Sequence, residues 1–207
     1  MKRTWKHSLI AAAIAGSSLA MATGAGISHA GSVVACSSPT TRQAFAPWGD
    51  TSGYFPITNG TFETGSGGWT IYGSSYGTPS VGANQEPWKV NGSTHSKGLT
   101  IPAYATAYAP QTCVTKDQDA MRFFYKSPGV TGATLLVKIE VKSAAGQVVQ
   151  QWTIPSGSAG WKVSPKFSIP NKRDSSGQQN INVTLTPINT AATWVVDDFM
   201  IDPFVSR

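Results

Sequence analysis

From residue 57 onward, short runs of β-branched and aromatic residues alternate with clusters of Gly, Pro, Asn and Ser. No window repeats apolar residues at helical spacing over three turns, so helix is expected to be incidental. Eight runs read as strands: 69–72, 98–101, 120–125, 135–142, 148–154, 166–169, 181–186 and 193–201. The clearest pairing is a hairpin over 135–154. Leu136-Val137-Lys138-Ile139-Glu140-Val141-Lys142 alternates apolar with charged, Ala144-Ala145-Gly146 supplies a turn, and 148–154 returns. Such alternation places one side on a core and the other in water, which is the mark of antiparallel sheet. About eight short strands of this kind predict an all-β protein, an antiparallel β-sandwich of the jelly-roll type.

The N-terminus departs from this pattern. Lys2, Arg3 and Lys6 precede an uncharged stretch rich in Ala and Gly, which ends at Ser28-His29-Ala30 with small residues where a signal peptidase reads. Residues 1–30 are therefore expected to be a signal peptide cleaved after Ala30. The alternative, an uncleaved anchor, is diluted by Gly16, Ser17, Ser18, Gly24 and Gly26, whereas spanning helices need about 20 predominantly apolar residues. Residues 31–56 read as an irregular strap and 57–207 as the sandwich. The expected location is extracellular, with no transmembrane segment after cleavage.

Cleavage changes the charge balance. Loss of Lys2, Arg3 and Lys6 lowers the formal charge from +6 to +3, since 13 Lys and Arg then face 10 Asp and Glu. The remaining cations are scattered, which argues against nucleic acid as a partner. Two cysteines remain, Cys36 and Cys113, and in an exported chain a disulfide between them is the simplest reading. Two others stay open: Val33-Val34-Ala35-Cys36 loosely resembles a lipobox, and both thiols could remain free. Asn59, Asn91 and Asn182 each open an Asn-X-Ser/Thr triplet, which a eukaryotic secretory pathway could glycosylate; in so Asn- and Thr-rich a chain a chance pattern is the preferred reading.

The processed chain keeps one histidine, His95, in a Gly/Ser/Thr loop. That leaves no multi-histidine zinc site, and no His-paired triad unless His95 itself serves. No nucleophile elbow or phosphate-cradling glycine loop is present, and no carboxylate pair stands out for glycoside hydrolysis. A non-catalytic protein is expected, with a carboxylate-based hydrolase as an alternative.

Two segments stand out: Asn59-Gly60-Thr61-Phe62-Glu63-Thr64-Gly65-Ser66-Gly67-Gly68-Trp69, and Trp194-Val195-Val196-Asp197-Asp198-Phe199-Met200-Ile201. Adjacent aspartates within an apolar strand are costly to bury without a cation or several hydrogen bonds. The two segments resemble the opening and closing stretches of calcium-binding jelly-roll carbohydrate-binding modules, a family of galactose-binding-like β-sandwiches attached to secreted glycoside hydrolases. The resemblance implies that first and last strands lie side by side and that Glu63, Asp197 and Asp198 hold a structural Ca²⁺. Strand alternation would put the two aspartates on opposite faces, favouring Asp197 as the side-chain ligand; hydrogen bonding without metal is the alternative. The resemblance further implies a polysaccharide or cell-surface glycan stacked on exposed aromatic rings. Tyr76, Trp88, Tyr104 and Tyr108 with Glu86 are the expected ligand set; Tyr72 and Trp161 are further aromatic candidates, and Asn84 and Gln85 further polar ones. Trp69 and Trp194 are expected in the core, and the strap could cover the face a ligand would use. A structural or adhesive protein with the same fold and no sugar site is the competing reading.

Overall fold

The structure is a computed structural model and describes residue 36 and residues 39–202. The expected signal peptide lies outside the described residues, as does 203–207. Thirteen strands are described: β1 (Phe55–Pro56), β2 (Thr70–Tyr72), β3 (Ser80–Ala83), β4 (Lys97–Ile101), β5 (Thr106–Tyr108), β6 (Thr112–Thr115), β7 (Ala120–Ser127), β8 (Thr134–Ser143), β9 (Gly146–Pro155), β10 (Gly160–Val163), β11 (Phe167–Ser168), β12 (Gln178–Ile188) and β13 (Trp194–Asp202). All pairings are antiparallel.

One sheet runs β10-β7-β13-β4-β3, with β1 also on β13 and β11 also on β7; the other runs β2-β5-β12-β8-β9, with β6 also on β12. The protein is thus a β-sandwich, as its alternation predicts, with more strands than the eight expected. Each expected run falls on a strand. Those that escaped the pattern, β1, β3, β5, β6 and β10, are two to four residues long and are extended by their neighbours rather than by their own composition. The 135–154 hairpin forms as predicted, with Leu135 opposite Ile154 and Ser143 opposite Gly146. Gly146 takes φ +117, open to glycine but strained for other residues, which makes the tight return possible.

The sheets close on a layer of rings and branched side chains. Phe123 lies between Phe199, 4.5 Å away, and Phe167, 5.7 Å away, both stacked. Trp69 and Trp194 are buried here with Leu99, Ile101, Leu135, Ile139 and Val183. Burial of apolar area at this scale is the main stabilising term, at roughly 25 cal/mol per Å².

Residues 39–54 hold little regular structure: a bridge between Arg42 and Tyr54 and a 3-10 turn at Ala46–Trp48. Phe55 and Pro56, the end of the expected strap, pair with Ile201 and Met200. The segment lies on the outer face of the first sheet. Phe45 and Tyr54 are fully buried against Phe124 and Met200, and Trp48 packs on Trp88 and Phe124. A second, smaller core results. Asp50 fixes it from the polar side, accepting hydrogen bonds from the Tyr54 hydroxyl (2.7 Å) and from Arg122 Nη1 (2.9 Å). Burial opposes ionisation of Asp50, but the bonds from Tyr54, Ser52 and Arg122 outweigh it and hold the carboxyl below its ordinary range. Cys36 and Cys113 form a disulfide, joining the start of this segment to β6.

Candidate functional site

The two marked segments meet, as the resemblance implies. Ile57 N donates to Phe199 O, and Phe199 N donates to Gly60 O, each at 3.0 Å. A Cβ on Gly60 would stand 2.8 Å from Phe199 O, so only glycine permits this approach. Asn59 stitches the loop that follows: its Nδ2 donates to Gly65 O (2.7 Å) and Gly67 O (2.9 Å), its Oδ1 accepts from Thr64, and its carbonyl accepts from Trp69 Nε1.

The last strand does not alternate through its aspartates. Pairing with β7 shifts between Asp197 and Met200, and Asp198 has φ +51: a bulge. Trp194 and Val196 face the inter-sheet core before it, Phe199 and Ile201 after it, so both carboxylates are buried rather than divided between faces. The expectation of opposite faces is corrected by this extra residue. Asp197 Oδ2 accepts from Asn84 Nδ2 (2.6 Å) and its Oδ1 from Asp198 N (2.7 Å). Asp198 Oδ1 accepts from Asn91 Nδ2 (2.6 Å), whereas Oδ2 is buried with no partner, as is Asn91 Oδ1.

Burial, then the Asp198 charge, pushes the Asp197 carboxyl well up; the bonds from Asn84 and Asp198 N do not offset them, and Glu86 adds to the rise. Asp198 is pushed up by burial first; the Asn91 bond and the Arg42 charge oppose this, while Glu86 and Glu63 reinforce it. Three buried carboxylates, Glu86, Asp197 and Asp198, form no ion pair among the described residues. Such a cluster calls for a cation or for protons. Among the described residues no three His, Cys, Asp or Glu side chains gather on one point. The oxygens that fit Ca²⁺ are instead Asp198 Oδ2 and Asn91 Oδ1, because buried oxygens lacking donors are what a hard cation takes. This shifts the preference from Asp197, whose oxygens are occupied, to Asp198. Glu63 Oε1 accepts from Ser96 N (2.7 Å) and Lys97 N (2.8 Å), anchoring the Asn59 loop to β4.

Of the expected ligand set, Tyr76, Tyr104 and Tyr108 share one edge, and Trp88 and Glu86 lie elsewhere. Glu86 is buried, accepting from Trp88 N and Lys89 N, each at 2.6 Å, so it shapes a turn and offers nothing to a ligand. Trp88 sits in the second core under the strap, its ring 4.7 Å from Trp48. Nothing in its local sequence signals this, because what covers it is an aromatic 40 residues earlier. Asn84 is committed to Asp197, and Gln85 and Trp161 flank a hollow on the same sheet.

On the second sheet, β2 and β5 with the turns beside them present four exposed tyrosines: Tyr72 on β2, Tyr108 on β5, Tyr76 after β2 and Tyr104 before β5. Tyr72 and Tyr108 meet edge to face at 5.6 Å; Tyr76 and Tyr104 meet at 5.7 Å. Tyr104 holds φ +60, unfavourable for a bulky side chain, and its N–H donates to Pro187 O (2.9 Å). Ser74 anchors the Tyr76 turn by donating from Oγ to Ala103 O (2.6 Å). Beside Tyr72 and Tyr108 lies a cavity of about 380 Å³ that also exposes Gln111, Glu140, Lys142 and Asn182. These four polar residues were not expected. Asn182 was within reach, since Ile181, Val183 and Leu185 turn inward and leave it outward.

No family model matches the chain, and no curated protein matches it. Solved structures do resemble it. TmCBM61, solved with β-1,4-galactotriose, is 19% identical over 70% of this chain and 95% of its own, with a TM-score of 0.45. The CBM22-1–GH10 modules of Clostridium thermocellum endo-1,4-β-D-xylanase 10B, complexed with xylohexaose, are 18% identical over 72% of this chain, with a TM-score of 0.46; the match spans 28% of that chain. The K3 cleaved adhesin domain of Porphyromonas gingivalis Lys-gingipain is 11% identical over 72% of this chain and 99% of its own, with a TM-score of 0.43. What these share with the chain is the β-sandwich fold.

Proposed function

We propose that the chain is an exported, non-catalytic polysaccharide-binding module whose ligand lies along the β2–β5 edge. The observation that carries this reading is the exposed pair Tyr72 and Tyr108 beside a cavity with amide, carboxylate and ammonium groups, with a second exposed pair, Tyr76 and Tyr104, at the ends of the same two strands. Tyrosine faces stack on the C–H surfaces of sugar rings, and the polar side chains supply hydrogen bonds that fix orientation. The pairs hold each other in place, so little side-chain freedom is lost on binding. Ca²⁺, held through Asp198 and Asn91 with Glu63 bracing the loop, would neutralise the buried acids and stabilise the sandwich without touching the sugar.

The test is a glycan array with purified protein, in calcium and in chelator, followed by titration of any hit. Replacing both Tyr72 and Tyr108 by Ala is expected to weaken binding about tenfold or more. Absence of binding to every polysaccharide sinks the reading in favour of a structural or adhesive role. A melting temperature that chelator leaves unchanged removes the calcium.

A further inference from the structure

A cavity of about 680 Å³ lies away from the tyrosines, at the end of the sandwich where the β6–β7 turn meets β11 and the segment leading into β12. Lys116, Lys166 and Arg173 line it, against one carboxylate, Asp119; Ser168 and Asn171 add neutral polar groups. Lys166 Nζ pairs with the buried Asp202 at 2.6 Å, which positions it and leaves it further N–H groups to donate.

Arg173 is the telling member. Its guanidinium is half-buried and makes no ion pair among the described residues; Nη2 reaches only Gln118 O, at 3.4 Å, and Nε is buried with no hydrogen-bond partner. Asp119 and Asp117 act on it only through space. Leaving a buried cationic N–H unmade is costly, and the planar fork suits a carboxylate or sulfate presenting two oxygens. The loop carrying it is already set. Buried Gln179 accepts from Lys172 N (2.6 Å) and donates to Pro170 O (2.8 Å), and Asp174 caps the turn through Ser176 and Gln178.

We propose that this basic hollow is a second binding site, one that takes the carboxylate or sulfate groups of an acidic polysaccharide. It stands on different residues from the tyrosine edge, so either can fail alone. Polygalacturonate, dextran sulfate, a neutral galactan and inorganic sulfate serve as probes in calorimetric titration of the purified protein. Lys116→Ala and Arg173→Gln are each expected to weaken binding of at least one acidic polymer about tenfold. Rising salt should weaken it further, and neutral-polymer binding should not change. Lys116 is exposed, so its variant decides the matter if Arg173→Gln lowers the melting temperature. The proposal is overturned if neither acidic polymer binds at low salt, if both variants bind like the parent, or if acidic binding is lost with Tyr72→Ala/Tyr108→Ala instead. It is equally overturned if inorganic sulfate binds as tightly as the polymers, which would make this a site for free anions.

Discussion

The two sheets treat their outer faces in opposite ways. In the first, β7 and β13 are buried almost without interruption, because the strap lays Phe45, Trp48 and Tyr54 over Phe124 and Met200. In the second, β8 and β12 alternate buried with half-buried positions, and the outer face carries the half-buried Lys138, Glu140, Asn182 and Thr184, with the exposed tyrosines along one edge. Aromatic residues serve both, to different ends. On the covered face rings meet rings and become core; on the open face they meet only each other in pairs and stay free to meet a ligand. Exposure, rather than aromatic content, separates filler from candidate site.

That contrast can be broken from the covered side first. Phe45→Ala removes a fully buried ring shared with Tyr54 and Phe124 and is expected to cost about 3–5 kcal/mol in denaturant unfolding. Limited proteolysis should then cut first within 39–53; cleavage no faster than in the parent would mean the strap is not held as described. Cys36→Ser or Cys113→Ser releases a loop closed over a separation of 77 residues and should cost about 2–4 kcal/mol. Asp50→Asn, which weakens the Arg122 pair, should cost about 1–2 kcal/mol. Because the folded Asp50 carboxyl is held below its ordinary value, its contribution is present above the unfolded pKa, about 3.9, and is lost as pH falls through the folded one. Trp48 emission followed below about pH 4 should therefore report strap loosening, and Asp50→Asn should flatten that transition. On the open face, Tyr72→Ala and Tyr108→Ala should each change stability by only about 0.5 kcal/mol, whatever they do to binding. A larger loss would place those rings in the core.

Asp198→Asn sharpens the cation question separately. If protons alone neutralise the pair, the amide relieves repulsion and leaves stability level or higher; if Ca²⁺ does, the variant loses the stabilisation that calcium gives the parent. Thermal melts with and without chelator distinguish the two.

Periodicity made the architecture legible. The alternation of Leu135 to Val141 predicts a half-open strand, as β8 is; Met121 to Tyr125, apolar except for Arg122, is read only as a strand and proves to be covered on both faces. What covers the second was not legible, because the strap contributes isolated rings with no period of their own. The meeting of Gly60 with Phe199 could be anticipated from the paired motifs, since a residue without a side chain beside a closing strand signals close approach. Glu86 and Trp88 misled for one reason: a Gly- and Pro-flanked segment looks like surface until an element distant in sequence packs on it. The Arg173 hollow left no local pattern either, since its three cations come from two separate stretches of chain.

The bulge at Asp197–Asp198 works as a counting device. Positions before it keep one parity toward the core and positions after it keep the other, so the strand carries two reading frames joined at the aspartates. Deleting one acid would leave a regular alternation in which Trp194, Val196, Phe199 and Ile201 still face the core, so the packing of the strand does not itself require the extra residue. What the extra residue adds is a second carboxylate beside the first on the same face, and not the placement of the rings that follow. A descendant with no use for the paired acids would be expected to drop one of the two residues and close the ladder.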